Sequence, residues 1–128
     1  MTVLLDTHVL IWLSQDLSYL GKSSRRILKL APKLYFSSVS IAELQIKSAV
    51  RKLKYDSHFS SKLVSAGLTE LPFTSEHALS ISRFPSLIRH DPSDRMILAQ
   101  AATENISLMT SDQKLLDLNF NWIIDAHE

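Results

Sequence analysis

The run Val3-Leu4-Leu5 constrains the fold more than any other stretch of the chain. Its apolar residues show no polar alternation, so a strand built from them must be covered on both faces. Asp6 ends the run, and Thr7 to Leu13 opens a helical pattern. A strand that passes directly into a helix places Asp6 at the carboxyl edge of a parallel strand, where open α/β sheets bind ligands. Asp6 then has two readings. It caps the helix, because Asp accepts hydrogen bonds from the free amides of a first turn, or it serves as a metal ligand or catalytic acid.

The same alternation continues along the chain. Ser23 or Ser24 is expected to cap a helix reaching about Leu30, which Ala31-Pro32 stops. Lys33 to Ser37 reads as a strand, and Ser38 to Leu53 as the clearest helix, with Val39, Ala42, Ile46, Ala49, Val50 and Leu53 at helical spacing. Tyr55 to Ala66 reads as another helix, closed by Gly67. Thr69 to Phe73 reads as an edge strand, the position that suits Pro72. Thr74 is expected to cap a helix through about Arg83, with a loop from Pro85 to Arg89. Asp91 followed by Pro92 is a strong helix start. Ile106 to Met109 reads as a strand, Thr110 or Ser111 as a helix start, and Trp122 to Ile124 as a last strand. This pattern predicts an α/β fold with a mainly parallel sheet and helices on both faces, in a single domain over residues 1–128. Trp12 and Trp122 are read as core residues.

Composition removes several function classes. The absence of cysteine excludes disulfides, thiolate zinc sites and a cysteine nucleophile. Only 2 glycines occur, neither in a phosphate-cradling pattern. No apolar run approaches a membrane span, and the start shows no basic leader pattern. A cytoplasmic protein without a membrane partner is expected. A net charge of +1 neither demands nor excludes nucleic acid, since a local patch can outweigh the total.

Asp6, Glu43, Asp94 and Asp112 each follow a strand or lie on a helix that follows one. Singly, each has a structural explanation. Glu43 has the capping-box spacing from Ser40, Asp94 favours the helix dipole, and Asp112 stands at a helix start. Their faces argue for more. Glu43 falls within the apolar stripe of its helix, and Asp94 stacks with Ile97, Leu98 and Ala101. A carboxylate facing a core must be paired, protonated or bound to a cation, and no Lys or Arg is expected in the middle of those stripes. Asp6 and Asp112 end strands that are candidates for neighbours. Converging acids with few cations suit a hard divalent ion, and such a site promotes phosphodiester hydrolysis.

At these residues the chain resembles the PIN-domain family, most nearly its VapC-type toxins from bacterial toxin–antitoxin pairs. The resemblance lies in Leu4-Leu5-Asp6-Thr7-His8-Val9-Leu10-Ile11-Trp12, in Ser38-Val39-Ser40-Ile41-Ala42-Glu43-Leu44, in His90-Asp91-Pro92-Ser93-Asp94-Arg95-Met96-Ile97-Leu98-Ala99-Gln100-Ala101 and in Thr110-Ser111-Asp112, in that order. It implies a three-layer α/β/α sandwich, one or two Mg²⁺ or Mn²⁺ ions and endoribonuclease activity on RNA. It also implies a cognate antitoxin and a homodimer. By motif position Asp6, Glu43, Asp94 and Asp112 resemble the family's acidic quartet. Thr110 resembles a hydroxyl that backs the metal ligands, and Asp91 is similar to a residue found in one subgroup.

Lys47, one turn after Glu43, and Arg95, beside Asp94, are candidates for phosphate contact; each reads equally well as a solvated or ion-paired side chain. His8 and His90 adjoin acids but are not expected to bind magnesium, which prefers oxygen. His90 reads as a loop residue, and no aromatic platform for stacking bases is apparent. Two other functions compete. A catalytically silent PIN-like module would bind RNA or protein without cutting. A receiver-like signalling domain would need a second acid beside Asp6 and a lysine at the end of its last strand, but Thr7 and His8 follow Asp6, and Asp125 follows Ile124. A D-x-D phosphatase fails because His8 stands where the second Asp should be.

Overall fold

The computed structural model describes residues 1–51 and 56–128. Five strands form one sheet in the order β3-β2-β1-β4-β5, with β1 at Thr2–Leu5, β2 at Lys33–Ser37, β3 at Thr69–Leu71, β4 at Ser107–Thr110 and β5 at Ile123–Asp125. Every neighbouring pair is parallel. The central strand is β1, in register with β2 through Leu5 and Phe36 and with β4 through Leu5 and Met109.

Alternation along β1 divides the core in two. Val3 and Leu5 join Val9, Leu10, Phe36, Leu63, Leu68 and Met109 on one face. Leu4 joins Val39, Ile97, Leu98, Ala101, Leu108 and Leu115 on the other. The first layer is built by helices α1 (Thr7–Gln15), α2 (Lys22–Leu30) and α4 (Phe59–Ser65), and the second by α6 (Pro92–Glu104) and α7 (Gln113–Leu116). Helix α5 (Ser75–Ser80) packs along α6, and α3 (Ser38–Arg51) contributes Ile41 to one core and Val39 to the other. This is the expected three-layer sandwich around a parallel sheet. Trp12 and Trp122 pack half-buried against the two cores.

The local punctuation follows side-chain chemistry. Thr74 caps α5 in a reciprocal box with His77, whose Nδ1 accepts from the Thr74 amide. Asp91 caps α6 with Pro92 at its first position. Gly67, at φ +100°, ends the α4 turn in a conformation that side chains resist.

Several expectations are corrected. Gly21 caps α2, while Ser24 is buried and donates to the Asp125 carbonyl. Asp112, not Thr110 or Ser111, caps α7, and Thr110 belongs to β4. The apolar spacing of α3 does not mark its buried face: Ile46 and Val50 are exposed, and Val39, Ser40 and Glu43 are buried. The expected extension of this helix to Leu53 and the start of the next at Tyr55 lie outside the described residues.

Candidate metal centre

Strand order reverses between β1 and β4: the chain leaves β1 toward β2 on one side and returns on the other with β4. Loops on either side of such a reversal separate and leave a crevice at the carboxyl edge. Asp6 follows β1 directly, and Asp112 follows β4 by two residues. Asp94 reaches the same crevice from the first turn of α6, and Glu43 from α3.

A chain of hydrogen bonds links these acids. Asp6 is 2 % exposed; its Oδ1 accepts from the Thr7 amide at 2.7 Å and its Oδ2 from the Thr110 hydroxyl at 2.6 Å. Asp6 is therefore a helix cap and a cleft acid at once. The Thr110 oxygen also accepts from the Asp112 amide at 3.0 Å, tying two of the acids to one hydroxyl. Thr7 Oγ1 donates to Glu43 Oε1 at 2.9 Å and lies 2.8 Å from Ser40 Oγ. Ser40 thus serves Thr7, and no capping box forms with Glu43.

Electrostatics separates the acids. Burial pushes the Asp6 carboxyl up, against the downward pull of its bonds to Thr110 and Thr7. Asp94 is pushed up to about 9, first by burial and then by Asp112, Asp6 and Asp91 around it. Burial alone would raise Asp112 too, but bonds from Asp94, His90 and the Leu115 amide outweigh it and hold Asp112 low. Crowding of like charges thus drives the two apart, raising Asp94 and leaving Asp112 low.

Glu43 does not lack a basic partner, contrary to the sequence expectation. Lys47 Nζ lies 2.5 Å from Glu43 Oε2, one helical turn on, and Asp91 and Asp94 add to the pull that raises the lysine's affinity for its proton. The candidate phosphate contact Lys47 therefore faces the acids. Arg95 turns elsewhere: its Nη1 donates to the Ile88 carbonyl at 3.3 Å, and its Nε has no partner among the described residues. Asp91 is exposed and accepts from the Ser93 amide, as a cap does.

Sequence reasoning missed His90. Its Nε2 lies 2.8 Å from Asp112 Oδ2 and 3.1 Å from Asp94 Oδ2. The signal was the four-residue spacing of His90 from Asp94, though His90 precedes the Asp91 cap and lies outside α6. The contact with Asp112, 22 residues away, has no local signature.

The donor set fits a hard divalent ion. Carboxylate oxygens converge on a half-buried crevice, where Lys47 pairs with Glu43 and His90 lies between Asp94 and Asp112. We propose Asp6, Glu43, Asp94 and Asp112 as the acids that would hold such an ion, with water or phosphate oxygens completing the shell. Thr110→Val should lower the stability of the metal-free protein by about 1–3 kcal/mol, because it strands a buried Asp6 oxygen and the Asp112 amide. Denaturant unfolding in EDTA measures this; unchanged stability would show that Thr110 does not organise the acids.

Known proteins place this architecture. Ribonuclease VapC22 of Mycobacterium tuberculosis is 29% identical over 121 residues, covering 89% of each protein. The crystal structure of VapBC2 from Rickettsia felis, bound to a DNA fragment from its promoter, superposes with a TM-score of 0.68 at 22% identity over 98% of both chains. A toxin–antitoxin complex from Klebsiella pneumoniae gives 0.67 at 16% identity over 98% of both. The family model of the PIN domain matches residues 3–121, from the central strand past the Asp112 cap, and the chain accordingly belongs to the PIN domain family.

Proposed function

We propose that this protein is a divalent-metal-dependent endoribonuclease and the toxin of a toxin–antitoxin pair. The reading rests above all on the close approach of Asp94 and Asp112 at the β1–β4 crevice that Asp6 also borders. The likeness to a protein named as a ribonuclease and to toxin–antitoxin complexes supports it. We read residues 1–128 as one cytoplasmic catalytic domain; among the described residues no helix is long and apolar enough to cross a membrane.

Mg²⁺ or Mn²⁺, when bound, would polarise the scissile phosphate and promote ionisation of the attacking water. The chain's own groups prepare that chemistry. Thr110 orients Asp6, Thr7 orients Glu43, and the Asp112 cap fixes its carboxylate against the start of α7. Both Asp94 and Asp112 must be ionised to act as ligands. Lys47, paired with Glu43 beside the acids, is proposed to meet a phosphate of the RNA backbone.

The antitoxin is proposed as a small protein that covers the acidic cleft with a basic side chain. Exposed Ile46 and Val50 on α3 leave an apolar face consistent with a homodimer or other protein contact.

Purified protein should cut RNA internally with Mg²⁺ or Mn²⁺ and stop in EDTA. Full cleavage in chelator would refute the proposal. RNA binding without cleavage in either ion would favour the silent-module reading.

A further inference from the structure

We infer that His90 is itself a ligand of this metal centre, and that its imidazole nitrogen tilts the site toward first-row transition ions such as Mn²⁺ over Mg²⁺. The inference rests on the proposed metal site and adds a donor that neither the acidic motif nor the preference of magnesium for oxygen calls for.

The geometry is specific. One donor atom each from His90, Asp94 and Asp112 lies within 4.8 Å of the other two. Nε2 approaches both carboxylates at once, through Oδ2 of Asp94 and Oδ2 of Asp112. The ring is held there from both sides along the chain. The His90 amide donates to the Leu87 carbonyl at 2.9 Å, closing the 3₁₀ turn Pro85–Leu87, and Asp91 with Pro92 then starts α6. His90 is 14% exposed, while Arg89 and Asp91 on either side face solvent. A loop histidine free to choose water has instead been turned inward onto two carboxylates.

An ion seated between Asp94 and Asp112 would meet Nε2 as the third donor. Coordination requires the ring proton to sit on Nδ1, with any Nε2 proton released to solvent, so that the Nε2 lone pair faces the ion. A nitrogen donor does little for Mg²⁺, which takes nearly all-oxygen shells. It adds affinity for d-block ions, whose binding to mixed nitrogen and oxygen sets is stronger.

The test compares wild type, His90→Ala and His90→Asn, each checked for folding by thermal melting. The asparagine variant keeps a hydrogen-bond donor toward the acids but removes the imidazole. Free Mn²⁺ is counted by electron paramagnetic resonance, Mg²⁺ affinity is read by competition, and pulsed measurements detect nitrogen coupled to bound Mn²⁺. Wild type should show nitrogen coupling and prefer Mn²⁺. Both variants should lose the coupling, with Mn²⁺ affinity falling ~10-fold or more while Mg²⁺ affinity moves far less. If wild-type Mn²⁺ shows no nitrogen coupling, or the coupling survives in the variants, the inference is wrong while the nuclease reading stands. Equal weakening of both ions would likewise reduce His90 to a residue that positions the acids. Failure of the wild type to bind either ion would overturn the metal site itself.

Discussion

Asp94→Asn is expected to abolish RNA cleavage, by ~100-fold or more, and to raise the melting temperature of the metal-free protein. The two effects have one cause. Burial raises the proton affinity of Asp94 most, and Asp112, Asp6 and Asp91 around it raise it further, to a pKa of about 9. The sign of the pH dependence follows. Because the folded value lies above the unfolded one, the native state holds a proton that the unfolded chain releases. The stability linked to Asp94 is therefore fully present below the ordinary aspartate range and drains away as pH rises toward 9. Asparagine imitates the protonated acid at every pH, so the variant's metal-free stability should stay flat across this window while wild type declines. The difference in melting temperature between the variant and wild type should widen as pH rises toward 8. Glu43→Gln should differ: it also removes a metal ligand, but it breaks the pair with Lys47, so no gain in metal-free stability is expected. An Asp94→Asn protein that cleaves normally and melts lower than wild type would make this acid structural.

Leu5→Ala should have the opposite profile. Leu5 is fully buried on the central strand, in register with both Phe36 and Met109, one residue before Asp6. Truncating it removes apolar contact and leaves a cavity that the flanking strands cannot close, at a cost of about 2–5 kcal/mol. Set against a typical total stability of roughly 5–15 kcal/mol, that loss threatens the fold at 37 °C. The melting temperature should fall by about 10–20 °C. Cleavage per folded molecule, assayed well below the transition, should fall far less than in Asp94→Asn. Unchanged melting would mean that β1 is not the centre of the core.

Much of the fold was legible because β1 is a short apolar run and α5 and α6 begin with side-chain caps. Asp91-Pro92 and Thr74 mark their helices without tertiary help. Asp6 was singled out by its place after β1, and Glu43 and Asp94 by the helix faces they occupy. What failed was the orientation of α3. Periodicity reports where apolar side chains repeat, not which face meets the sheet, and on α3 the face carrying Ile46 and Val50 looks outward. The buried face carries Ser40 and Glu43, which are stabilised by Thr7, more than 30 residues away in sequence. Lys47 was visible one turn from Glu43, but only its side-chain geometry shows the pair. His90 was missed because a local reading of a loop does not contain Asp112, which arrives from a different strand.

The central claim is that these acids form one metal site, and metal-linked melting tests it most directly. Wild type, Asp6→Asn, Glu43→Gln, Asp94→Asn and Asp112→Asn are melted with EDTA and with saturating Mn²⁺. An ion that binds only the folded state stabilises it by mass action, by about 2.7 kcal/mol at 100 times its Kd. Wild type should gain on that order and each variant little. An equal gain in wild type and variants, or none in wild type, would contradict the account.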